Sequence, residues 1–455
     1  MNRSRKTKAL LETLLVIGLI LLIPLFFAVK TMANPQAAPN TPAPAIPTTV
    51  SAPEEGDALQ LKQPPACTFP LAQTTTEEST PEEYTFSEPK IVLSHPDNLY
   101  NIVEWLPDNQ QVLITQDLYD ISKSERSNSD LLRQSIELYN PVTGELMVYA
   151  IRYFVEEPPS WQPALNAVVY PSMNYLGIDK NTRRLSFTRQ VRVSYGDPDN
   201  TQMLADNLPQ FPLTVKPGGS EMIYLSDKKI SKRNSSLQDI PSVPFDLTQW
   251  DYAKTRRSEL PLSYEMDWQP GTSLIFLHSN GGMQLGGGYT FILNADTGQV
   301  CELNLGGWAV KAQWSSDGRY LAIIRAEISS SPINLTDLAI LDAETGSLTT
   351  IELISQDVEG KHYVDDFVWA PDNRHLLAIG HVPSFQNTDQ ASIAGLYLVD
   401  FMSGQSINLL SEYKFYANMS QNNLAWSPDG SKLLIRCPTV EEDRVCFISV
   451  QRTAQ

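Results

Sequence analysis

The chain has 455 residues, a net charge of −18 and 19% charged residues. Such acidity argues against a nucleic-acid-binding protein, whose surface must be basic to contact phosphates. By length alone about three domains would fit, but a repeat that recurs along most of the chain uses that length in one domain.

The first 30 residues have the pattern of a membrane-targeting segment. Four basic residues among the first eight precede an uncharged apolar run from Thr13 to Val29. As a helix this run is about 26 Å long, close to the thickness of the hydrocarbon core. The basic flank predicts a cytoplasmic N-terminus. An uncleaved signal-anchor and a cleaved signal peptide both fit, and the length of the run favours the anchor. We therefore predict a single-pass membrane protein that is extracytoplasmic beyond residue 30, or secreted if the signal is cleaved.

Residues 31–88 are predicted to form a disordered stalk. Ten prolines lie there among Ala, Thr, Gln and Glu, with few apolar side chains to bury. A segment of this composition cannot offset the entropy lost on ordering and stays extended. We expect it to hold the following domain, residues 89–455, away from the membrane.

From residue 89 onward one pattern recurs at a near-constant interval. In its clearest copy, Trp426-Ser-Pro-Asp-Gly430, the Trp ends a strand and the next four residues form a turn, since Pro presets φ and Gly accepts positive φ. Copies begin at Trp105, Trp161, Val215, Trp268, Trp314, Trp369 and Trp426, at intervals of 46 to 57 residues. This period, with alternating apolar strands and turn residues, predicts a β-propeller with one four-stranded blade per repeat.

A second turn type ends in Thr-Gly, as at Thr297-Gly298 and Thr345-Gly346, so that each blade consists of two hairpins. The whole pattern resembles the WD40-like, or TolB-type, β-propeller repeat with its Trp-Ser-Pro-Asp-Gly core. The resemblance covers about residues 89–455 and implies an all-β, seven-bladed propeller. TolB-type propellers use their channel face for peptide partners, so the resemblance also implies a binding role. Fold alone does not identify an activity.

Two regions depart from a regular repeat. The last repeat lacks a fourth strand, and we predict that Ile91–Ser94 supplies it and closes the ring. Residues 171–210 fit the pattern least, because Tyr175–Thr182 resembles a Thr-Gly turn although a further hairpin follows at Val191–Leu204. Either blade two contains an inserted hairpin or the blade boundaries differ there, so counts of six or eight blades stay open.

Both turn types should lie on one face of the ring, which places the longer connections on the opposite, loop-rich face. The predicted long connections span residues 116–134, 227–244, 246–260, 279–288, 355–366 and 380–394. A rigid scaffold commonly presents binding residues on such loops. We therefore predict the functional site on the loop-rich face and at the channel mouth in its centre.

Four residues between blades three and four are the candidate ligand-binding residues. Trp250 and Tyr252 are an aromatic pair outside the repeat, suited to stacking on a sugar or peptide, or to fixing the loop. Arg256 and Arg257 follow, and a basic run at residues 228–233 precedes them. A solvated loop is the simpler interpretation of the basic run.

The sequence lacks the motifs of the catalytic sites that we considered. There is no G-x-S-x-G elbow, and the five histidines have no metal-ligand spacing. Among the residues that precede the seven repeat positions, Glu104 and Asp267 are the two carboxylates, which do not amount to a metal or catalytic set. We expect no catalytic residue, no metal ligand and no cofactor.

The four cysteines suggest structural roles. Cys437 and Cys446 should face each other across the last hairpin, and an oxidising compartment would allow a disulfide there. Cys67 lies in the stalk and Cys301 on an outer strand, and their pairing stays open.

These observations favour a membrane-tethered, extracytoplasmic binding module for a protein, peptide or glycan. The alternative is a lactonase- or hydrolase-like propeller enzyme with a metal in the central channel. A passive envelope scaffold is a third interpretation.

Overall fold

A computed structural model describes most of the chain from residue 65 onward. The described ranges are 65–68, 82–95, 99–118, 133–153, 155, 157–178, 185–208, 213–226, 229–244, 264–279, 290–326, 336–353, 363–381, 393–409, 415–416, 423–437 and 442–454. All of them belong to the compact unit Leu61–Gln455. The predicted membrane segment lies outside these ranges, as does most of the predicted stalk.

Within the described ranges the protein is all-β apart from one short 3-10 turn at Pro163–Leu165, and its strands form seven sheets. Blades one to three contain β3 (Tyr100–Trp105), β4 (Val112–Leu118), β5 (Arg133–Tyr139) and β6 (Leu146–Tyr153); β7 (Ser160–Gln162), β8 (Ala167–Ile178), β9 (Leu185–Ser194) and β10 (Gln202–Leu208); and β11 (Leu213–Val215), β12 (Glu221–Ser226), β13 (Lys229–Asn234) and β14 (Asp239–Pro244). Blades four and five contain β15 (Tyr264–Trp268), β16 (Leu274–Ser279), β17 (Thr290–Asn294) and β18 (Val300–Glu302); and β19 (Trp308–Trp314), β20 (Tyr320–Ala326), β21 (Thr336–Asp342) and β22 (Leu348–Ile351). Blade six contains β23 (Tyr363–Trp369), β24 (His375–His381), β25 (Ile393–Asp400), β26 (Gln405–Asn408) and β27 (Phe415–Tyr416). Blade seven contains β28 (Leu424–Trp426), β29 (Lys432–Arg436), β30 (Asp443–Ala454), β1 (Glu82–Phe86) and β2 (Lys90–His95).

The repeat forms the first turn of each blade as predicted. In blade five the Ser315 amide donates to the Tyr320 carbonyl at 2.8 Å, and Asp317 accepts the Arg319 amide at 3.0 Å. Gly318 adopts a φ of 75°, which a side chain would strain. The geometry repeats in blade seven around Ser427 and Gly430.

Seven apolar clusters form the core, one at each seam between neighbouring blades. Each repeat tryptophan is buried in the seam with the preceding blade. In the seam between blades two and three the tryptophan is replaced by the partly buried Val215. The innermost strands contact one another around the full ring. The count of seven blades therefore follows from all seven sequence copies, including the weak ones.

The ring closes as predicted, with one strand more than expected. β2 pairs with β30, with Ile91 opposite Cys446 and Ser94 opposite Arg444. β1 extends the same blade along the far end of β30. The sequence predicts residues 82–86 as part of the disordered stalk, and the structure corrects this boundary because they form β1. Tyr84 packs its ring 5.1 Å from that of Trp426, so the segment does have apolar surface to bury.

Blade two contains long strands rather than an inserted hairpin. β8 pairs with β9 from Val168 to Ile178, so the predicted Thr-Gly-like turn at 175–182 is instead the connection between strands two and three. The turn between strands three and four lies at Gly196, which has a φ of 96°. The open question about residues 171–210 is thereby answered in favour of seven blades.

The predicted long connection at 227–244 is also corrected, because β13 and β14 occupy most of it. Residues 229–233 of the basic run lie on β13, where Lys232 is buried and paired with Glu221 and Asp296 at 3.1 and 2.7 Å. Arg233 donates to the Leu237 carbonyl at 2.7 Å. The basic side chains are thus part of the blade.

No helix in the described part of the chain has the length and apolar character of a membrane span.

Candidate functional site on the loop-rich face

The face of the tight turns, here called the turn face, is closed by hydrogen bonds between blades. The Gln162 side chain donates to the Gly219 carbonyl at 2.8 Å, which joins blades two and three. Gln269 makes the equivalent bond to Gly318 at 2.6 Å between blades four and five. Asn109 accepts the Asp429 amide at 2.9 Å between blades one and seven. The polar groups of these turns are therefore used in holding the ring together.

Two carboxylates on the innermost strands connect neighbouring blades. Glu104 accepts the backbone N–H of Trp161 at 2.7 Å, and Asp267 accepts that of Trp314 at 2.6 Å. Both side chains are half-buried, and burial raises the pKa of each to about 7. The hydrogen bond opposes this shift by favouring the charged form. The two carboxylates singled out in the sequence thus link blade seams and lie in different seams.

The carbonyl that precedes a repeat tryptophan has a related role. The Trp105 indole donates to the Ala425 carbonyl at 3.0 Å, and the Trp369 indole donates to that of Gln313 at 2.9 Å. Each bond crosses from one blade to the next. Positions next to the tryptophans therefore contribute to closure of the ring.

Blade six places a histidine beside a buried carboxylate at the loop-rich face. The register of β23 shifts at Asp365, and this bulge brings its carboxylate 2.7 Å from the His381 Nδ1 atom at the end of β24. Bulges of this kind redirect side chains and are common near functional sites. Burial raises the pKa of Asp365 although the histidine opposes the shift. The side chain of His381 is 12% exposed, so part of it reaches the surface.

The next residue, Asp366, joins three blades. Its carboxylate is fully buried and forms an ion pair with Lys311 of blade five. It also accepts the backbone N–H of Asn423, from blade seven, at 2.5 Å. Lys311 donates in addition to the Phe367 carbonyl at 3.0 Å. This charge is paired and hydrogen-bonded, as a buried charge must be.

The polar contacts continue into blades seven and one. Arg436 pairs with Asp443 at 2.9 Å, and Asp443 accepts the Tyr100 amide of blade one at 2.7 Å. In blade one, Gln134 donates to Asp117 at 2.7 Å. Burial raises the pKa of Asp117.

Arg152 adds a connection from blade one to blade two. Its guanidinium donates to the Gln134 side chain at 2.6 Å and to the Pro171 carbonyl at 2.8 Å. Burial lowers the pKa of Arg152 to about 10. We call this set the loop-side belt. Asn423 directly precedes β28, and the other members lie in strands, between the middle of the strand and the end that leads to the loop-rich face. The members of the belt are Asp117, Gln134, Arg152, Lys311, Asp365, Asp366, His381, Asn423, Arg436 and Asp443.

The belt fixes the strand ends from which the long connections start. A carboxylate that bonds one ring nitrogen of a histidine holds the ring in a fixed orientation. His381 is the belt member best suited to hydrogen-bond a ligand, because its ring is held by Asp365 and is partly exposed. In the described ranges no three or more His, Cys, Asp or Glu side chains are placed to hold a metal ion.

The four predicted ligand-binding residues, Trp250, Tyr252, Arg256 and Arg257, lie outside the described residues. The strands on either side of them are described: β14 ends at Pro244 and β15 begins at Tyr264. Their segment therefore connects two strand ends of the loop-rich face.

The structure joins Cys437 to Cys446 across the β29–β30 hairpin. It also joins Cys67 to Cys301, the pair that the sequence left open. All four cysteines are thus in disulfides.

Sequence reasoning missed the belt. Its signal was a charge placed inside an apolar strand, as in Tyr363-Val-Asp-Asp-Phe-Val-Trp369. The pattern shows that such a charge needs a partner, but the partners of Asp366 come from blades five and seven.

No family model matches the chain, and no curated protein matches it. Solved structures match at low identity. A xyloglucanase from Xanthomonas campestris has a TM-score of 0.50 and 12% identity, over 78% of this chain and 52% of that one. An oligogalacturonate lyase in complex with manganese has a TM-score of 0.48 and 10% identity, over 82% and 99%. TolB from Acinetobacter baumannii has a TM-score of 0.34 and 12% identity, over 71% and 78%.

At these identities the matches concern the fold. The chain is a seven-bladed β-propeller, as its WD40-like, TolB-type repeat predicts, and TolB is among the structures to which it is similar.

Proposed function

We propose that the protein is a membrane-tethered, extracytoplasmic binding module that holds a protein, peptide or glycan on its loop-rich face. One observation carries the proposal: the two faces of the ring differ. The turns of the turn face bond to one another across the blade seams. The loop-side belt supports the strand ends of the opposite face, which the long connections join in sequence, including the one with Trp250 and Tyr252.

The belt adds a physical argument for a function on that side. Buried ion pairs contribute little net stability compared with apolar packing. Perturbed ionisable groups are more frequent at functional sites. The buried pairs of Asp366 with Lys311 and of Asp443 with Arg436, and the raised pKa values of Asp117 and Asp365, therefore support a functional role for the loop-rich face.

The cysteines support an extracytoplasmic location. All four are paired, and disulfides persist in oxidising compartments. The predicted targeting segment at residues 1–30 supports the same location. A reporter-fusion or protease-protection assay in membrane vesicles tests it, and digestion of the propeller from the cytoplasmic side would contradict the proposal.

A binding screen tests the main proposal. The full chain in lipid nanodiscs is exposed to a glycan array and to a displayed peptide library. The ligands retained are then measured against Trp250→Ala and His381→Ala, which change the loop-rich face, and against Val142→Ala as a control. Val142 is 69% exposed in a tight turn of blade one. We expect at least one loop-face variant to weaken binding about tenfold or more and the control to leave it unchanged. Equal loss in the control, or no loss in either loop-face variant, would contradict the proposal.

A propeller enzyme is a second candidate, favoured by the pKa values of about 7 at Glu104 and Asp267. Carboxyl groups that titrate near neutral pH suit general acid–base catalysis. A screen of lactone and glycoside substrates with and without divalent metals tests this candidate. Activity that Glu104→Gln or Asp267→Asn abolishes, in a variant that still folds, would favour the enzyme over the binding module.

A further inference from the structure

A short segment ahead of the propeller is attached to blade four. Ala66 forms a parallel bridge with Glu302 of β18. The Cys67 amide donates to the Glu302 carbonyl at 3.0 Å, and the Glu302 amide donates to the Pro65 carbonyl at 2.9 Å. Cys67 is bonded to Cys301 on the same strand. The segment therefore adds a parallel edge to an otherwise antiparallel blade.

The noncovalent part of this attachment is small. Its described contacts are the two backbone hydrogen bonds that form the bridge and the packing of the partly buried Cys67 against the apolar cluster between blades four and five. Pro65, Ala66 and Thr68 are exposed. Such contacts barely offset the entropy of ordering the residues that make them. The disulfide is therefore the main bond that holds residues 65–68 on blade four.

The two disulfides differ in accessibility. Cys437 and Cys446 are buried, with exposed fractions of 8% and 5%. Cys67 and Cys301 are both partly exposed. Thiol–disulfide exchange requires a thiolate to reach a sulfur atom, so accessibility favours the Cys67–Cys301 bond.

The ring does not need the Cys67–Cys301 bond for its closure. β1 and β2 pair with β30 in blade seven, and Cys437–Cys446 braces the same blade. The chain N-terminal to the propeller is thus attached twice, at blade four and at blade seven. Breaking the first attachment leaves the second in place.

We propose that Cys67–Cys301 is a site of reversible thiol–disulfide exchange with an external dithiol, which fastens and releases the N-terminal segment. A thiolate of the dithiol attacks one sulfur and forms a mixed disulfide, while the other cysteine leaves as a thiolate and takes up a proton. The second thiol of the dithiol then displaces the protein sulfur, which is protonated. The dithiol becomes a disulfide and both cysteines become thiols.

Release lengthens the tether. After release, the first residue of the described ranges that pairs with the ring is Glu82, at the start of β1. The chain length between Thr68 and Glu82 sets an upper limit of roughly 50 Å on the added reach. This consequence rests on the membrane tether of the proposed function, whereas the exchange itself does not.

Graded reduction of the full chain in nanodiscs tests the proposal. Dithiothreitol is the dithiol probe, and alkylation with mass spectrometry measures each cysteine. We expect Cys67 and Cys301 to be modified about tenfold or more faster than Cys437 and Cys446. Hydrogen exchange at the Glu302 amide should accelerate about tenfold or more, while the strands of the other blades stay protected. Simultaneous reduction of both disulfides, or continued protection at Glu302 after reduction, would overturn the proposal.

A double variant separates release from loss of the fold. The double variant Cys67→Ser with Cys301→Ser should reproduce the hydrogen-exchange pattern of the reduced protein. The bond closes a sequence separation of 234 residues, and its loss also lowers global stability by freeing the unfolded chain. Hydrogen exchange of the double variant is therefore measured well below its melting temperature. If the whole ring lost its hydrogen-exchange protection at that temperature, the disulfide would be required for the fold and the proposal would be refuted.

Two further readouts separate this proposal from the proposed function. Energy transfer between a dye on the nanodisc lipid and one on the propeller should decrease on reduction, and no decrease would overturn the release of the tether. Failure to find any ligand would count against the binding module and leave the exchange result unaffected.

Discussion

At the residue scale, both the repeat tryptophans and the residues that precede them form hydrogen bonds that support the ring. Trp105 and Trp369 donate their indole N–H to the preceding blade, whereas Trp268 and Trp426 donate within their own turns, at 2.9 and 3.1 Å. At the same repeat position, the indole N–H therefore has an acceptor either in the preceding blade or in its own turn. Glu104 and Asp267 make a second kind of contact across a seam, in which a side-chain carboxylate accepts a backbone N–H.

Glu104 is expected to make stability depend on pH. Its pKa in the folded protein, about 7, lies above its ordinary value, so the folded state binds the proton more tightly. The resulting stability is fully present below about pH 4 and is lost as the pH rises to about 7. Glu104→Gln keeps an oxygen that can accept the Trp161 amide and removes the titration.

We expect Glu104→Gln to be more stable than the wild type at pH 8 by about 1–2 kcal/mol, a reduced figure because the carboxyl is only half-buried. Near pH 4 the two should be equally stable. Denaturant unfolding at both pH values measures this. Glu145→Gln, at an exposed turn, is the control and should show no such difference. A pH profile unchanged by Glu104→Gln would refute the assignment.

At the element scale, the Thr-Gly turns share a backbone and differ in their neighbours. Asn294 caps the turn of blade four by accepting the Asp296 and Thr297 amides at 2.9 and 3.1 Å. Asn140 does the same in blade one, for Val142 and Thr143, at 2.9 and 3.1 Å. The turns are thus local structures, and what differs is how closely a neighbouring blade approaches them.

Gly298 and Gly144 should respond differently to alanine. Both have positive φ, at 71° and 77°. A Cβ on Gly298 would lie 2.1 Å from the Pro244 carbonyl of blade three, whereas one on Gly144 meets no atom within 4 Å. We expect Gly144→Ala to cost about 1 kcal/mol through backbone strain. Gly298→Ala should cost about 2–4 kcal/mol because overpacking is added. Thermal and chemical unfolding measure the loss of stability in each variant. Equal losses would show that blades three and four can move apart to accept the methyl group without further destabilisation.

At the scale of the whole molecule, the closure of blade seven holds a ring whose ends are distant in sequence. β1 and β2 come from the start of the propeller and β30 from its end. Because each inner strand contacts the next around the ring, a weakness at the closure should affect all blades together.

Tyr84→Ala tests this coupling. Tyr84 is buried, and its ring lies 5.1 Å from that of Trp426 and 5.4 Å from that of His375. We expect a loss of about 2–4 kcal/mol and a single unfolding transition at a lower temperature. Calorimetry measures both. Tyr195→Ala, at a side chain that is 51% exposed, is the matched control and should change stability by less than about 0.5 kcal/mol. Separate transitions for blade seven and the remaining blades would contradict the coupling.

The Cys437–Cys446 bond should stabilise the same closure. Its sequence separation of 9 residues predicts a stabilisation of about 2–3 kcal/mol through the unfolded chain. Replacement of both cysteines by serine should lower the free energy of unfolding by that amount and increase hydrogen exchange in β2, β29 and β30 first. Unchanged exchange in these strands would mean that the pairing of β2 with β30 is sufficient without the disulfide.

The sequence by itself determined the architecture. The repeat starts, the two turn types and the strand that closes the ring are encoded locally, because turn residues and alternating apolar positions act over a few neighbours. The number of copies then set the number of blades. It missed β1, whose neighbours Pro81 and Pro89 made the stretch resemble the stalk.

Only the tertiary structure decided the contents of the candidate site. The partners of Asp366 are Lys311 and Asn423, 55 and 57 residues away, and Cys67 pairs with Cys301 across 234 residues. No local pattern predicts such pairings, because they depend on which strands the closed ring brings side by side. Sequence identifies a charge that must be buried in an apolar strand, and the fold decides which group compensates it.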